Sequence, residues 1–221
     1  MKIYKLPDDL SNSALIFDMD CTLYTHDEYA QTQTDLPINR LAQIKGKTFE
    51  QMNDEVAQYR KNWAESHNGQ AISLSNTFLA FGISIEENIR WRDEYYRPED
   101  YLEKDKQLRC VLEVLASRFT LAVVTNNTVS VAVRTLSVLG VDDLLQKIVG
   151  LDTVKVSKPE KIHFLKAAEL CGCDIERCIS VGDRYDIDIA LPLEMGMGGI
   201  LVDNVEDVYK LPDLFAGSNA N

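Results

Sequence analysis

Ala14-Leu15-Ile16-Phe17-Asp18-Met19-Asp20-Cys21-Thr22-Leu23-Tyr24 decides the fold: four apolar residues stop abruptly on two carboxylates spaced two apart. The pattern recurs twice. Leu121-Ala122-Val123-Val124 stops on Thr125, and Ile179-Ser180-Val181-Gly182 stops on Asp183. Short apolar runs of this kind suit strands buried on both faces, as in a parallel sheet. The carboxyl ends of such strands share one edge, where open α/β sheets bind ligands. Asp18, Thr125 and Asp183 are therefore expected in one pocket.

Outward from these runs, helix and strand alternate. The spacing predicts helices over 107–118, 129–139, about 159–170 and 186–195, with Gly140 and Cys171-Gly172 as stops and Pro159 in a first turn. Strands are expected over 120–125, 147–150, 178–181 and 199–202. Strands separated by helices imply right-handed crossovers, hence an α/β fold with a Rossmann-like parallel sheet covered by helices on both faces. From residue 24 to 102 the periodicity is helical throughout, so a small all-helical domain (24–102) interrupts a discontinuous core (1–23 and 103–221). Within it, Met52, Val56, Tyr59 and Trp63 form one stripe expected to be core. Further helices are expected over 73–81, ending at Gly82, and 85–96, halted by Arg97-Pro98. The tail 216–221 is expected to fray.

A net charge of −12 excludes a general nucleic-acid binder, which needs a basic face. It also means that an anionic substrate would be repelled unless a metal or a lysine reverses the local field. No apolar run is long enough to span a bilayer, and Met1–Asp9 lacks an apolar signal core, so a cytoplasmic, membrane-free protein is expected. Five cysteines, an odd number, fit reduced thiols. Cys171, Cys173 and Cys178 cluster, but three residues between a helix and a strand are read as packing, without zinc. No heptad or exposed stripe marks an interface, so the state of assembly stays open and a monomer is compatible.

The polar ends carry the chemistry. Asp18 and Asp20 can divide labour, one attacking phosphorus and the other protonating the departing oxygen and later activating water. An anion attacking a phosphate needs a cation, and Asp18 with Asp183 can hold Mg²⁺, a hard ion preferring oxygen. Thr125, Asn126 and Asn127 offer donors beside a helix start, and Lys158 can neutralise charge on phosphate and aspartates alike. Each motif alone also has a plain reading as a turn, an N-cap or a surface loop. Their order and shared position at strand ends favour the chemical one.

Together these residues resemble the four motifs of the haloacid dehalogenase-like hydrolase superfamily, across nearly the whole chain. The resemblance implies that Asp18 is the nucleophile, Asp20 the acid/base, Thr125 the second motif's hydroxyl and Lys158 the third motif's lysine. It also matches Asp183 and Asp188 to the fourth motif. The implied metal is Mg²⁺, held by Asp18, Asp183 and the main-chain carbonyl of Asp20. Asp188 would support the lysine and metal-bound water, while Asp186 lies too close to Asp183 for either usual spacing. Phosphate binding falls to Thr125, Asn126 and Lys158. The helices of 24–102 resemble the cap of the phosphatase and phosphoglucomutase branches, which excludes water and selects substrate. Arg60, Trp63, His67, Trp91 and Tyr95 are candidate cap contacts, against cap packing for the aromatics and a solvated face for the others.

One departure is Cys21, where relatives often carry Gly, Asn or Asp; it is read as filler. Asp20 sets the chain apart from haloacid dehalogenases, which lack a second acid because halide leaves unprotonated. The spelling Phe17-Asp18-Met19-Asp20-Cys21-Thr22-Leu23-Tyr24 resembles nucleotidase-like members. The implied activity is a Mg²⁺-dependent phosphatase acting on a small phosphorylated metabolite, a nucleoside monophosphate being one candidate. The alternatives are a phosphomutase of the β-phosphoglucomutase type and a catalytically silent binding protein.

Overall fold

The computed structural model describes residues 1–216. Ala14–Phe17 (β2) is wholly buried, and its side chains alternate between two cores. Leu15 and Phe17 join Leu121, Val123, Ile179 and Val181 on one face, while Ala14 and Ile16 join Ala122, Val124 and Cys178 on the other. Both faces of the central strands are thus dry, which is why these runs show no polar alternation.

Thr120–Val124 (β3), Lys147–Val149 (β4), Cys178–Gly182 (β5) and Gly198–Leu201 (β6) complete the parallel part of the sheet. With Lys2–Lys5 (β1), which pairs antiparallel to β6, the order is β1-β6-β5-β2-β3-β4. Phe17 lies opposite both Val123 and Val181. This register brings Asp18, Thr125 and Asp183 to the same sheet edge. The reading that began the sheet at Ala14 missed β1, because Lys-Ile-Tyr-Lys is a charged, mostly exposed edge strand with no buried run to betray it.

Helices cover both faces. Lys106–Ala116 (α5), Val129–Leu139 (α6) and Leu211–Ala216 (α11) pack on the Leu15 side, and Lys161–Cys171 (α8) on the Ile16 side. Gly140 caps α6 at φ +77°, a left-handed conformation that favours glycine. Two segments depart from expectation. Pro159 precedes α8 instead of lying in its first turn, since the Lys158 amide is tied to Asn126 Oδ1 at 2.7 Å. The expected helix over 186–195 opens as a wider π-helical turn, Tyr185–Ile189, before Ala190–Glu194. Ala216 ends α11; the rest of the tail lies outside the described residues.

Between β2 and α5 the chain forms Asp27–Lys45 (α1), Phe49–Ser66 (α2), Leu74–Ala80 (α3) and Ile85–Tyr95 (α4). Ile38, Leu41, Met52, Val56, Phe78 and Trp91 make a separate apolar cluster there. The expected stripe supplies only Met52 and Val56 to this cluster. Trp63 instead stacks on His67 at 3.8 Å, half-buried at the helix end. No helix of the described residues is long and apolar enough to cross a membrane.

His163 on α8 adds a pH dependence to the core. Its Nδ1 meets the Glu160 carbonyl at 3.1 Å, so Nδ1 carries the proton, and the buried Nε2 has no partner to receive a second one. Burial pushes the imidazole down to about 4. The unfolded chain therefore binds the extra proton first, and stability present above the ordinary histidine value is lost as pH falls from about 6.5 toward 4. We expect about 2 kcal/mol less stability at pH 5 than at pH 7.5 from this group. Urea unfolding at the two pH values should show that loss, and His163→Leu should flatten it.

Candidate active site

Lys158 is the hub of the site. Its side chain is almost wholly buried, and Nζ donates to Asp18 Oδ1 at 2.6 Å, Asp188 Oδ1 at 2.7 Å and the Val124 carbonyl at 2.9 Å. Residues 140 positions apart are thereby joined at the end of three strands. Burial would lower the lysine's pKa, but Asp18 and Asp188 more than offset it and keep the ammonium charged.

Asp188 reaches this point because Gly182 has no side chain: a Cβ there would sit 2.4 Å from the Asp188 Cβ. The π-helical turn holds Asp188 in place. Ser180 Oγ donates to its carbonyl at 2.6 Å, and the Arg184 amide donates to Oδ2 at 3.1 Å.

Both Asp188 oxygens are thus engaged, whereas Asp18 Oδ2 and Asp183 Oδ1 are buried without a hydrogen-bond partner. Oxygens of Asp18, Asp183 and Asp188 lie within 4.8 Å of one another. Burial pushes the Asp18 carboxyl up to about 8, with Lys158 opposing. It also pushes Asp183 up to about 6, with Arg184 opposing and Asp188 adding to the rise. Three crowded carboxylates with two orphaned oxygens fit a hard divalent cation such as Mg²⁺. Asp188 matches a supporting position, since Lys158 and the Arg184 amide already occupy its oxygens.

Asp20 faces a cavity of about 210 Å³ between the sheet edge and the inserted helices, lined also by Asn126, Asn127, Asp183 and Arg184. Its Oδ1 accepts from the Tyr24 hydroxyl and from Gln33 Nε2 at 3.0 Å, and its Oδ2 from Asn127 Nδ2 at 2.9 Å. The sequence reading assigned none of these three to Asp20. Gln33 could not be found from spacing, because α1 is interrupted by no motif and returns over the edge only in three dimensions. Asn127 stood in the triplet read as phosphate donors; here it serves the acid/base candidate.

Thr125 is fully buried, its Oγ1 accepting from the Asn127 amide at 3.0 Å, and Asn126 lines the cavity while its Oδ1 fixes the Lys158 backbone. Asp186 accepts from the Ala71 amide at 3.2 Å, tying the inserted helices to the core instead of joining the carboxylate cluster. Cys21 sits at φ +59°, a left-handed turn that Gly, Asn or Asp adopts more readily. Burial, then Asp183, Asp20 and Asp18, push its thiol up to about 12, so it is no thiolate. Of the five proposed cap contacts, Arg60, Trp63, His67, Trp91 and Tyr95, none lines the cavity. Arg92, Ser73, Ser75 and Tyr96 do.

Residues 13–196 match the model of the haloacid dehalogenase-like hydrolases. Among curated proteins, the chain is similar to glyceraldehyde 3-phosphate phosphatase of Methanothermobacter thermautotrophicus, 22% identical over 86% of this chain and 85% of that protein. It is also similar to pyrophosphatase PpaX of Listeria innocua, 27% identical over 58% of this chain, and to phosphoglycolate phosphatase of Neisseria meningitidis, 32% identical over 44%. The chain spans 61% of the length of the Listeria protein and 45% of the Neisseria one. The fold is shared with a HAD phosphatase from Thermococcus onnurineus, with TM-score 0.64, 18% identity, and coverage of 93% of this chain and 98% of that one. A family model that covers most of the chain, on a fold with the same sheet edge, makes this protein a member of the haloacid dehalogenase-like hydrolase family.

Proposed function

We propose that the protein is a Mg²⁺-dependent phosphatase that hydrolyses a small phosphomonoester through an aspartyl-phosphate on Asp18. The observation that carries this reading is the Lys158 bridge. It fixes Asp18 by Oδ1 and leaves Oδ2 free at the sheet edge, with Asp20 two residues on facing the cavity. One carboxylate oxygen of Asp18 forms the new bond to phosphorus as the ester P–O bond breaks, and Asp20 gives its proton to the departing oxygen. Asp20 then takes a proton from the water that attacks the aspartyl-phosphate, which returns Asp18 and releases inorganic phosphate.

Three donors on Asp20 suit its carboxylate form. When Asp20 is protonated, the Tyr24 hydroxyl can reverse and accept. Thr125 and Asn126 orient the phosphoryl oxygens, and Lys158, its three N–H groups held by Asp18, Asp188 and the Val124 carbonyl, offsets their charge. Asp18, Asp183 and the Asp20 carbonyl would hold Mg²⁺, with Asp188 in support; when bound, the ion supplies the positive charge that lets one anion approach another. The helices of 24–102 act as a cap that excludes water, in a protein whose five free thiols suit the cytoplasm.

Phosphate release from a panel of phosphomonoesters, nucleoside monophosphates included, tests the proposal. Release that requires Mg²⁺ and stops on chelation is expected. No release from any member, or isomerised sugar phosphate without free phosphate, would overturn it. Asp20→Asn should lower kcat/KM on alkyl phosphates by about 10²- to 10⁴-fold. The loss on p-nitrophenyl phosphate, whose leaving group needs no proton, should be smaller; equal losses would refute Asp20 as the acid.

A further inference from the structure

Arg92 is a buried charged side chain of the cavity that the reaction above leaves unused. It projects from α4, is 4% exposed, and lines the same cavity as Asp20, Asn127 and Arg184. Nη1 donates to the Asn88 carbonyl at 3.3 Å and to Asn88 Oδ1 at 2.7 Å, and Nη2 to Ser75 Oγ at 2.9 Å. Nε, equally buried, has no hydrogen-bond partner. All of these acceptors are neutral. Among the described residues no carboxylate pairs with this guanidinium, although the chain carries 35 Asp and Glu against 23 Lys and Arg. A guanidinium taken out of water with neutral acceptors alone keeps much of its desolvation cost until an anion reaches it.

Building on the phosphatase reading, we infer that the substrate's leaving group carries a second anion, a carboxylate or another phosphate, and that Arg92 binds it. The planar fork and the free Nε suit an oxyanion, and Ser75 lines the cavity beside it. At about 210 Å³ the cavity is smaller than the 300–1,000 Å³ typical of pockets for drug-sized ligands, so the leaving group is compact. Arg92 is thus a specificity residue, set apart from the groups that act on phosphorus.

The test compares 2-phosphoglycolate, inorganic pyrophosphate and 2-hydroxyethyl phosphate, the last being a neutral counterpart of the first. The wild type should favour one of the two anionic compounds over hydroxyethyl phosphate by at least about 10-fold in kcat/KM, the range of a charge-assisted hydrogen bond. Which one it favours identifies the anion. Arg92→Gln should erase the preference and Arg92→Lys should keep part of it, a rescue that a purely structural role would not give. Equal rates in the wild type, or a preference that survives in Arg92→Gln, would overturn the inference. If none of the three turns over, the phosphatase reading is left to the wider panel, and calorimetry decides on Arg92 separately. The Asp18→Asn protein should bind an anionic compound at least about 10-fold more tightly than hydroxyethyl phosphate, and Asp18→Asn/Arg92→Gln should not. Equal or absent binding in the former contradicts the assignment.

Discussion

Asp18→Asn is expected to cut turnover by at least about 10⁴-fold while leaving the protein folded. The amide keeps the shape of the carboxyl but cannot attack phosphorus; of the neighbouring carboxylates, both oxygens of Asp188 are engaged, Asp20 is held by three donors and Asp183 pairs with Arg184 at 3.7 Å. Stability should not fall, because burial disfavours a charge at this position, pushing the Asp18 carboxyl up to about 8, and the amide oxygen can still accept from Lys158 Nζ. Steady-state rates with Mg²⁺, together with a thermal melt, check both halves. Mg²⁺-dependent hydrolysis persisting near the wild-type rate would rule out nucleophilic catalysis by Asp18.

Lys158→Met should damage fold and reaction together. It strands Asp18 and Asp188 without their shared ammonium, and breaking a buried pair in this way costs about 3–5 kcal/mol. The loss should depend on pH with a definite sign. Without the lysine that lowers it, the Asp18 carboxyl rises further above its unfolded value, so the variant is least impaired at acid pH and loses stability as pH rises. Since the wild-type Asp18 carboxyl is pushed up to about 8, the extra loss develops as pH rises through that value. Chemical denaturation at pH 6 and pH 9.5 measures it; an equal loss at both would mean that the bridge contributes no electrostatic term. We expect turnover to drop by at least about 10³-fold, since the same ammonium offsets charge on the phosphoryl group.

What could be read from the chain divides along physical lines. β2, β3 and β5 are buried on both faces, so their composition announces them and their register fixes which residues meet. Lys158 and Asp188 were legible on other grounds, Lys158 from its loop before Pro159 and both from their match to the third and fourth motifs of the family that the chain resembles. β1 was not, since an exposed edge strand buries too little to need an apolar pattern. The departure at Tyr185–Ile189 was hidden because a π-helical turn has nearly the periodicity of an α-helix over five residues.

The wall formed by the inserted helices is the least legible part. Sequence reasoning singled out the conspicuous aromatics, yet Trp91 is fully buried, with its indole N–H on Glu87, and Trp63 stacks on His67. The cavity is lined instead by Gln33, Ser75 and Arg92, ordinary residues on helix surfaces. Which face of a helix turns toward a distant sheet edge depends on how four helices pack on one another, and no local spacing encodes it.

The covalent bond to Asp18 can be sought directly by acid quenching during turnover followed by peptide mass spectrometry. A phosphoryl group is expected on the peptide carrying Asp18, lost on treatment with hydroxylamine and absent from Asp18→Asn. Turnover with no phosphorylated peptide at any quench time, or with the label on another residue, would contradict it.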